Sequence, residues 1–286
     1  MATLTQNRGG HRVTKPARSP LSAAVAWVRE HLVTFAGLAA LGYLLLPVLV
    51  VFIFSFNKPA GRFNFAWHEF SLEAWTNVCG IGGMCDSLWL SIRLALFATL
   101  GAVVLGTLLA FALVRHRFRG RQPTNLLVFL PMATPEVVMG SSLLALFVQG
   151  GVDRGFTTLF ISHVLFCMSF VVVTVKARLQ GMDPRLEQAA ADLYATPYQV
   201  FRRVTLPLVL PGIVAAALLS FSLSFDDFIV TNFNSGNLVT FPMFVFGANQ
   251  RGVPPQINVI GSIMFFLALF LVLAAQYRTR IKLRRS

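Results

Sequence analysis

Three acidic residues lie within apolar stretches of this 286-residue chain. Glu136 occurs in PMATPEVVMG, while Asp226 and Asp227 occur in SFSLSFDDFIV. If these stretches are membrane helices, the 1.5 Å rise per residue puts Glu136 about 15 Å from its helix start and Asp226 about 22 Å beyond Pro211. A carboxylate at such a depth is costly and usually faces a cavity or a partner charge. These acids are therefore candidates for binding a cation.

Aromatic side chains stand close to two of these acids. Phe221 and Phe225 precede Asp226, and aromatic rings together with carboxylates suit ammonium groups through cation–π and charge contacts. The predicted substrate path consists of Glu136, Asp226, Asp227, Phe221 and Phe225. Two alternatives stay open: Glu136 is a hydrogen-bond partner in helix packing, or Asp226 pairs with an arginine of a companion subunit.

The chain carries no motif for catalysis or for a metal. It has no GxxxxGK[ST] phosphate loop, so we expect that ATP and its Mg²⁺ are held by other polypeptides and that no cofactor is bound here. No cluster of His, Cys and Glu has metal-ligand spacing, and no nucleophile–base motif is present. The sequence predicts neither catalytic residues nor a metal site, and hence a protein that is not an enzyme.

Composition indicates that the main solvent of this chain is lipid. Charged residues make up 12% of the sequence and hydrophobic residues 56%, whereas soluble domains carry roughly 25% charged residues. The formal charge of +13 lies mainly at the termini and in two connecting segments, as it does beside cytoplasmic membrane surfaces. This placement excludes a nucleic-acid-binding protein.

Six segments are long and apolar enough to cross a membrane, because a spanning helix needs about 20 apolar residues. They are residues 32–56, 87–114, 126–148, 156–175, 208–230 and 257–277. Lys and Arg alternate between the connections so that both termini are predicted to be cytoplasmic. The chain divides into a basic tail (1–31), a six-helix membrane domain (32–277) and a second basic tail (278–286). This is an all-α, multi-pass membrane protein.

One stretch between the fourth and fifth predicted spans is polar, and we call residues 183–207 the polar segment. Asp183-Pro184 and Thr196-Pro197 each pair a capping residue with a proline at the first helical position. They predict two short cytoplasmic helices, 184–194 and 197–206, with Leu206-Pro207 ending the second. Each helix has an apolar face, and such faces held outside the membrane indicate docking of a partner.

The polar segment resembles the EAA loop of permease subunits in ATP-binding-cassette (ABC) importers. That loop reads Glu-Ala-Ala, three residues, Gly, nine residues, Ile, one residue, Leu-Pro. Aligned on Leu206-Pro207, the chain has Ala189 and Ala190 in place, but Gln188 at the glutamate position and Tyr194 at the glycine position. The tyrosine predicts a turn made without a left-handed glycine, and Glu187, one residue away, is offset by about 100° around the helix.

The resemblance implies a type I ABC importer permease fold in which this loop contacts the ATPase subunits. The residues implied to make that contact are Glu187, Gln188, Ala189, Ala190, Asp192, Leu193, Tyr194 and Ala195. It also implies a homologous second permease, two ATPase copies, an extracellular solute-binding protein, and a bacterial cell membrane. The stretches TPEVVMGSSLL and SFSLSFDDFIVTNF further resemble the second permease subunit of spermidine/putrescine importers.

The cargo implied by that second resemblance is a polyamine, imported through the path described above. The rival within the same class is a permease for another small solute, such as a different cation, an iron complex or an organophosphonate. A secondary transporter or a membrane scaffold is the alternative of another class. Separately, Cys79 and Cys85 lie in a predicted outer loop, where they form a disulfide or remain two free thiols.

Overall fold

The computed structural model describes residues 20–285, and within them the fold is almost wholly helical. The calls on residues 1–19 and 286 lie outside the described residues. The elements in chain order are α1 Pro20–Phe54, β1 Asn57–Lys58, β2 Glu69–Phe70, α2 Glu73–Thr76, α3 Met84–Arg115, α4 Arg121–Ala133, α5 Glu136–Gln149, α6 Phe156–Gln180, α7 Arg185–Asp192, α8 Pro197–Val200, α9 Leu206–Asp226, α10 Ile229–Asn234, α11 Phe241–Arg251 and α12 Pro255–Arg285. A π-helical turn, Phe201–Thr205, joins α8 to α9.

Four described helical stretches are long and apolar enough to cross a membrane. They are His31–Phe54, Met84–Arg115, Phe156–Gln180 and Pro197–Asp226. A fifth crossing results if α4 and α5 act as one span, although they are bent by 110°. The last predicted span corresponds to Pro255–Phe270, which is apolar but shorter. The multi-pass helical prediction is confirmed, while the count of six and the side of each terminus stay predictions.

Two predicted spans contain breaks. The span predicted at 126–148 divides at Thr134-Pro135, because the residue before a proline is pushed out of the helical region; Thr134 has φ −81° and ψ 134°. The span predicted at 208–230 ends at Asp226, since Asp227 is extended at φ −64° and ψ 125°. Both breaks fall beside the acids that the sequence marked.

The chain divides into two compact units, residues 55–260 and the two end segments. In the first unit α3, α6 and α9 pack together around buried aliphatic side chains, among them Val171, Val175 and Val209. α3 approaches α6 closely at its glycines: a Cβ added to Gly106 would lie 2.8 Å from the Val171 Cβ. Small residues at such crossings let membrane helices pack through their backbones.

The end segments form the second unit, which presents much apolar surface. The spanning part of α1 has none of its most apolar window buried. Phe52 of α1 meets Phe266 of α12 edge-on, with ring centroids 5.1 Å apart. An unburied apolar helix of this kind suits contact with lipid or with another membrane subunit.

The loop between α1 and α3 is held by a short hairpin and a disulfide. β1 and β2 pair antiparallel, and the buried Asn57 side chain donates to the Asn64 Oδ1 (2.6 Å) and to the Ala66 carbonyl (2.8 Å). Cys79 and Cys85 are bonded, with their Cα atoms 5.5 Å apart. The open choice between a disulfide and free thiols is thus settled for the disulfide in this structure.

The close approach of α3 and α6 gives a stability prediction. Gly106→Ala should lower the free energy of unfolding by about 1–3 kcal/mol, because the new methyl overpacks against Val171. Gly247→Ala is the matched control, since a Cβ at this helical glycine of α11 meets nothing within 4 Å. That variant should keep its stability or gain up to ~1 kcal/mol of helix propensity. Thermal unfolding in detergent would contradict the packing argument if both variants behaved alike.

Candidate functional site

Both predicted caps of the polar segment are present. The Asp183 Oδ1 accepts the Arg185 backbone N–H at 2.9 Å and starts α7. The Thr196 Oγ1 accepts the Gln199 N–H at 3.4 Å, and the Gln199 Oε1 accepts the Thr196 N–H at 2.9 Å. This reciprocal capping box satisfies donors that the start of α8 leaves free. The sequence signals for two helix starts are therefore confirmed.

The second helix of the polar segment does not end at Leu206-Pro207, and that prediction was wrong. α8 continues through the π-helical turn into α9, so one helix runs over Pro197–Asp226. The Leu206 N–H bonds to the Phe201 carbonyl five residues earlier. A proline lacks the N–H and crowds the carbonyl four residues before it, and the wider turn accommodates Pro207 without a stop. The segment is consequently continuous with a membrane helix.

The turn after α7 keeps a left-handed residue even though no glycine is present. Tyr194 has φ 58°, which makes it the only non-glycine with positive φ among the described residues. The Ala195 N–H bonds to the Ala190 carbonyl and the Tyr194 N–H to the Ala191 carbonyl, the two bonds of a Schellman motif. The expectation of a turn without this conformation is corrected: Tyr194 adopts it at a cost of roughly 1–2 kcal/mol.

α7 and its turn form an exposed surface. No residue of α7 is buried, and Leu193 and Tyr194 are 82% and 97% exposed. Ala190 and Ala195 are half-buried, whereas Gln188, Ala189 and Asp192 are exposed. An exposed leucine and tyrosine beside small alanines leave room for a partner to approach closely.

Glu187 has a role that the sequence reasoning did not assign. Its Oε1 lies 2.6 Å from the Arg115 Nη2 at the end of α3, and it accepts the Thr205 hydroxyl at 2.6 Å. The offset of about 100° from the glutamate position therefore turns Glu187 inward, toward the membrane helices. A charged pair 72 residues apart could not be recognised from spacing alone. Glu187 holds α7 against the ends of α3 and α9.

Glu136 and Asp226 both stand at helix breaks. Glu136 is the first residue of α5, Asp226 is the last of α9, and both side chains are exposed. Neither carboxylate forms an ion pair with another residue that the structure describes. Phe221 and Phe225 stack one helical turn apart, with ring centroids at 6.1 Å. The structure thus leaves both carboxylates accessible.

The two breaks are connected through α5 and α10. The Asn234 side chain of α10 donates to the Gly140 carbonyl of α5 at 3.2 Å. A Cβ on Gly140 would lie 2.8 Å from the Phe233 ring, so this glycine permits the close approach. The helix that begins with Glu136 therefore packs on the helix that follows Asp226.

Asp227 differs from its neighbour because it is buried and fully engaged. Its carboxylate accepts the Thr231 N–H (2.8 Å), the Thr231 hydroxyl (2.7 Å) and the Val230 N–H (3.4 Å). These bonds cap the start of α10. The structure therefore gives Asp227, predicted as a path residue, a capping position, and only its neighbour Asp226 is left accessible. Sequence reasoning also missed His163, which lies beside it; a histidine inside the apolar segment 156–175 was the available signal.

No metal-binding group of three or more His, Cys, Asp or Glu residues occurs among the residues that the structure describes.

The fold is that of permease subunits of bacterial ABC importers. A crystal structure of a bacterial ABC transporter involved in import of the acidic polysaccharide alginate matches with a TM-score of 0.62 and 17% identity, over 93% of this chain and 99% of that chain. The MetNI methionine ABC transporter in an inward-facing conformation matches with a TM-score of 0.56 and 16% identity, over 68% of this chain and 93% of that chain.

Residues 102–280 match the family described as "Binding-protein-dependent transport system inner membrane component". The chain is 38% identical to the spermidine/putrescine transport system permease protein PotC of Haemophilus influenzae, covering 83% of this chain and 92% of that protein. It is 35% identical to the putrescine transport system permease protein PotI of Escherichia coli K12, covering 82% and 88%.

This chain belongs to the family of binding-protein-dependent transport system inner membrane components. It is a non-catalytic permease subunit of an ABC transporter, located in the inner membrane. The alternative of a secondary transporter or a scaffold is thereby removed.

The contacts of Glu187 give a second prediction. Glu187→Leu should cost about 1–3 kcal/mol, mainly because the buried Thr205 hydroxyl loses its acceptor. The partly exposed pair with Arg115 adds little, about 0–1 kcal/mol. Gln188→Leu, one residue on and exposed, is the matched control. Thermal unfolding of both variants checks this, and an equal loss in both would argue against an anchoring role.

Proposed function

We propose that this chain forms part of the translocation path of an ATP-driven importer for a polyamine such as spermidine or putrescine. The observation that carries the proposal is the pair of accessible carboxylates, Glu136 and Asp226, at breaks in apolar helices. Broken helices at membrane depth commonly line a transport site, and an acid there generally faces the path. The names of the PotC and PotI relatives agree with a cationic cargo.

Aromatic side chains complete the proposed path. Phe221 and Phe225 stack beside Asp226, and Phe225 also lies 6.3 Å from the Phe241 ring. A protonated amine over these rings gains cation–π attraction in addition to the carboxylate charge. Methylene groups of a polyamine would contact the same rings. Such a surface favours a flexible organic cation over a hydrated metal ion.

In this proposal the energy comes from other subunits. The chain pairs with a homologous second permease, two ATPase subunits hold ATP and Mg²⁺, and an extracellular solute-binding protein delivers the cargo. α7 and its turn, with Leu193 and Tyr194 exposed, seat in the ATPase. Because α8 is continuous with α9, movement of the ATPase would be carried directly to the helix that ends at Asp226. Both chain termini lie on the cytoplasmic side.

The path is tested by removing its charges. Glu136→Gln combined with Asp226→Asn should weaken polyamine uptake by about tenfold or more, since tenfold needs only ~1.4 kcal/mol. The reason is that both amides retain shape but lose the attraction for ammonium groups. Asp153→Asn is the control, because Asp153 is also exposed but lies between α5 and α6. Uptake of labelled spermidine by the assembled complex is the measurement.

Two outcomes would count against this path. Unchanged uptake in the double variant would exclude these acids. Competition by an organophosphonate or an iron complex as strong as that by unlabelled spermidine would assign the permease another cargo.

Docking on the ATPase is tested at Leu193. Leu193→Asp should leave the permease fold intact, because the side chain is 82% exposed, yet weaken ATPase association by about tenfold. The physical reason is that an apolar knob buried on docking is replaced by a charge. Val152→Asp serves as control, since Val152 is exposed in the turn after α5. Copurification of the ATPase checks it; normal assembly of the Leu193 variant would place docking elsewhere.

A further inference from the structure

A buried histidine of α6 contacts both sides of the α9–α10 break. The His163 Nδ1 lies 2.8 Å from the Ser224 Oγ, which precedes the break. Its Nε2 lies 3.0 Å from the Thr231 Oγ1, which follows the break, and 3.6 Å from the Asp227 Oδ2. The imidazole is 1% exposed. One ring therefore links two helices that the chain itself no longer joins in a regular way.

The donors and acceptors of this network have one consistent arrangement when the imidazole is neutral. The Thr231 hydroxyl donates to the Asp227 carboxylate at 2.7 Å, so its oxygen is free to accept from His163. The proton then lies on Nε2, and Nδ1 accepts from the Ser224 hydroxyl. Every polar atom of the ring is satisfied, which a buried polar group requires.

The network determines where Asp226 lies. Asp226 stands between Ser224 and the extended residue Asp227, so its direction follows from the angle between α9 and α10. Ser224 fixes one side of that angle and Thr231 the other, through the same ring. A fully satisfied buried network holds a single conformation more firmly than apolar packing alone.

We propose that His163 is a positioning residue that fixes the α9–α10 break and thereby orients Asp226 toward the cargo. The orientation of Asp226 does not depend on what is transported, but its use in transport rests on the function proposed above. His163 itself touches no cargo, because it is buried. It acts through Ser224 and Thr231.

The first test separates positioning from general stability. His163→Leu keeps an apolar volume but loses both hydrogen bonds, and it should raise the half-saturating polyamine concentration by about tenfold. His163→Gln keeps a donor and an acceptor, and it should restore most of that loss. Ser162→Ala is the control: Ser162 is also buried on α6, but its hydroxyl bonds only to the Thr158 carbonyl of its own helix. Uptake by the assembled complex gives half-saturation and maximal rate separately.

The second test measures the direction of residue 226 without any transport. Asp226→Cys is introduced together with Cys167→Ser, which removes the free buried thiol. The labelling rate with a membrane-impermeant thiol reagent is then compared with and without His163→Leu. A rate change of about fivefold or more is expected, in either direction, because labelling depends on exposure of the thiol. If His163→Leu fails to fold, Ser224→Ala breaks the link to α9 alone and takes its place.

The outcomes distinguish the two proposals. An equal labelling rate with and without the histidine overturns the positioning role, whatever the cargo. A loss of uptake that His163→Gln does not restore, or that Ser162→Ala shows equally, overturns it as well. A wild-type complex that labels as expected but does not transport polyamine overturns the proposed cargo and leaves the positioning role in place.

Discussion

The constraint behind this structure is that backbone groups freed inside an apolar membrane domain must find partners within the protein. Each unsatisfied N–H or C=O in hydrocarbon costs several kcal/mol. The described helices break or widen at three places, and each place has its own solution. At the α9–α10 break, the Asp227 carboxylate accepts two freed N–H groups. At the α4–α5 break, Pro135 has no N–H that needs a partner. At Pro207, the π-helical turn shifts the bond to the carbonyl five residues back.

These solutions explain why charged residues stand where they do. Asp227 is needed by the backbone, and its charge is absorbed by hydrogen bonds with Val230 and Thr231. Asp226 and Glu136 are not needed in that way, since neither is buried or paired with a described residue. Two adjacent aspartates therefore do different work. The one that stabilises the break is not the one left accessible for a cation.

The sequence predicted the local features well because their causes are local. The Asp183 and Thr196 caps, the proline breaks and the lipid-facing spans depend on a few neighbouring residues. The remaining features depend on contacts distant in the chain. His163 meets residues 61 and 68 positions away, and Glu187 meets Arg115 72 positions away. The left-handed Tyr194 was missed for a different reason: propensity disfavours it, and the bonds of the surrounding turn outweigh that preference.

The continuity of α8 with α9 connects the two halves of the proposed mechanism. A flexible joint at Leu206-Pro207 would have dissipated a displacement of α7 before it reached the membrane. A π-helical turn instead keeps hydrogen bonds across the junction, and Glu187 adds a second connection through Thr205 within that turn. The other end of the same helix is Asp226, and the network around His163 holds the next helix in place. In the proposed importer, a push at α7 would therefore be expressed at the only point in α8–α9 where the backbone is free to change direction.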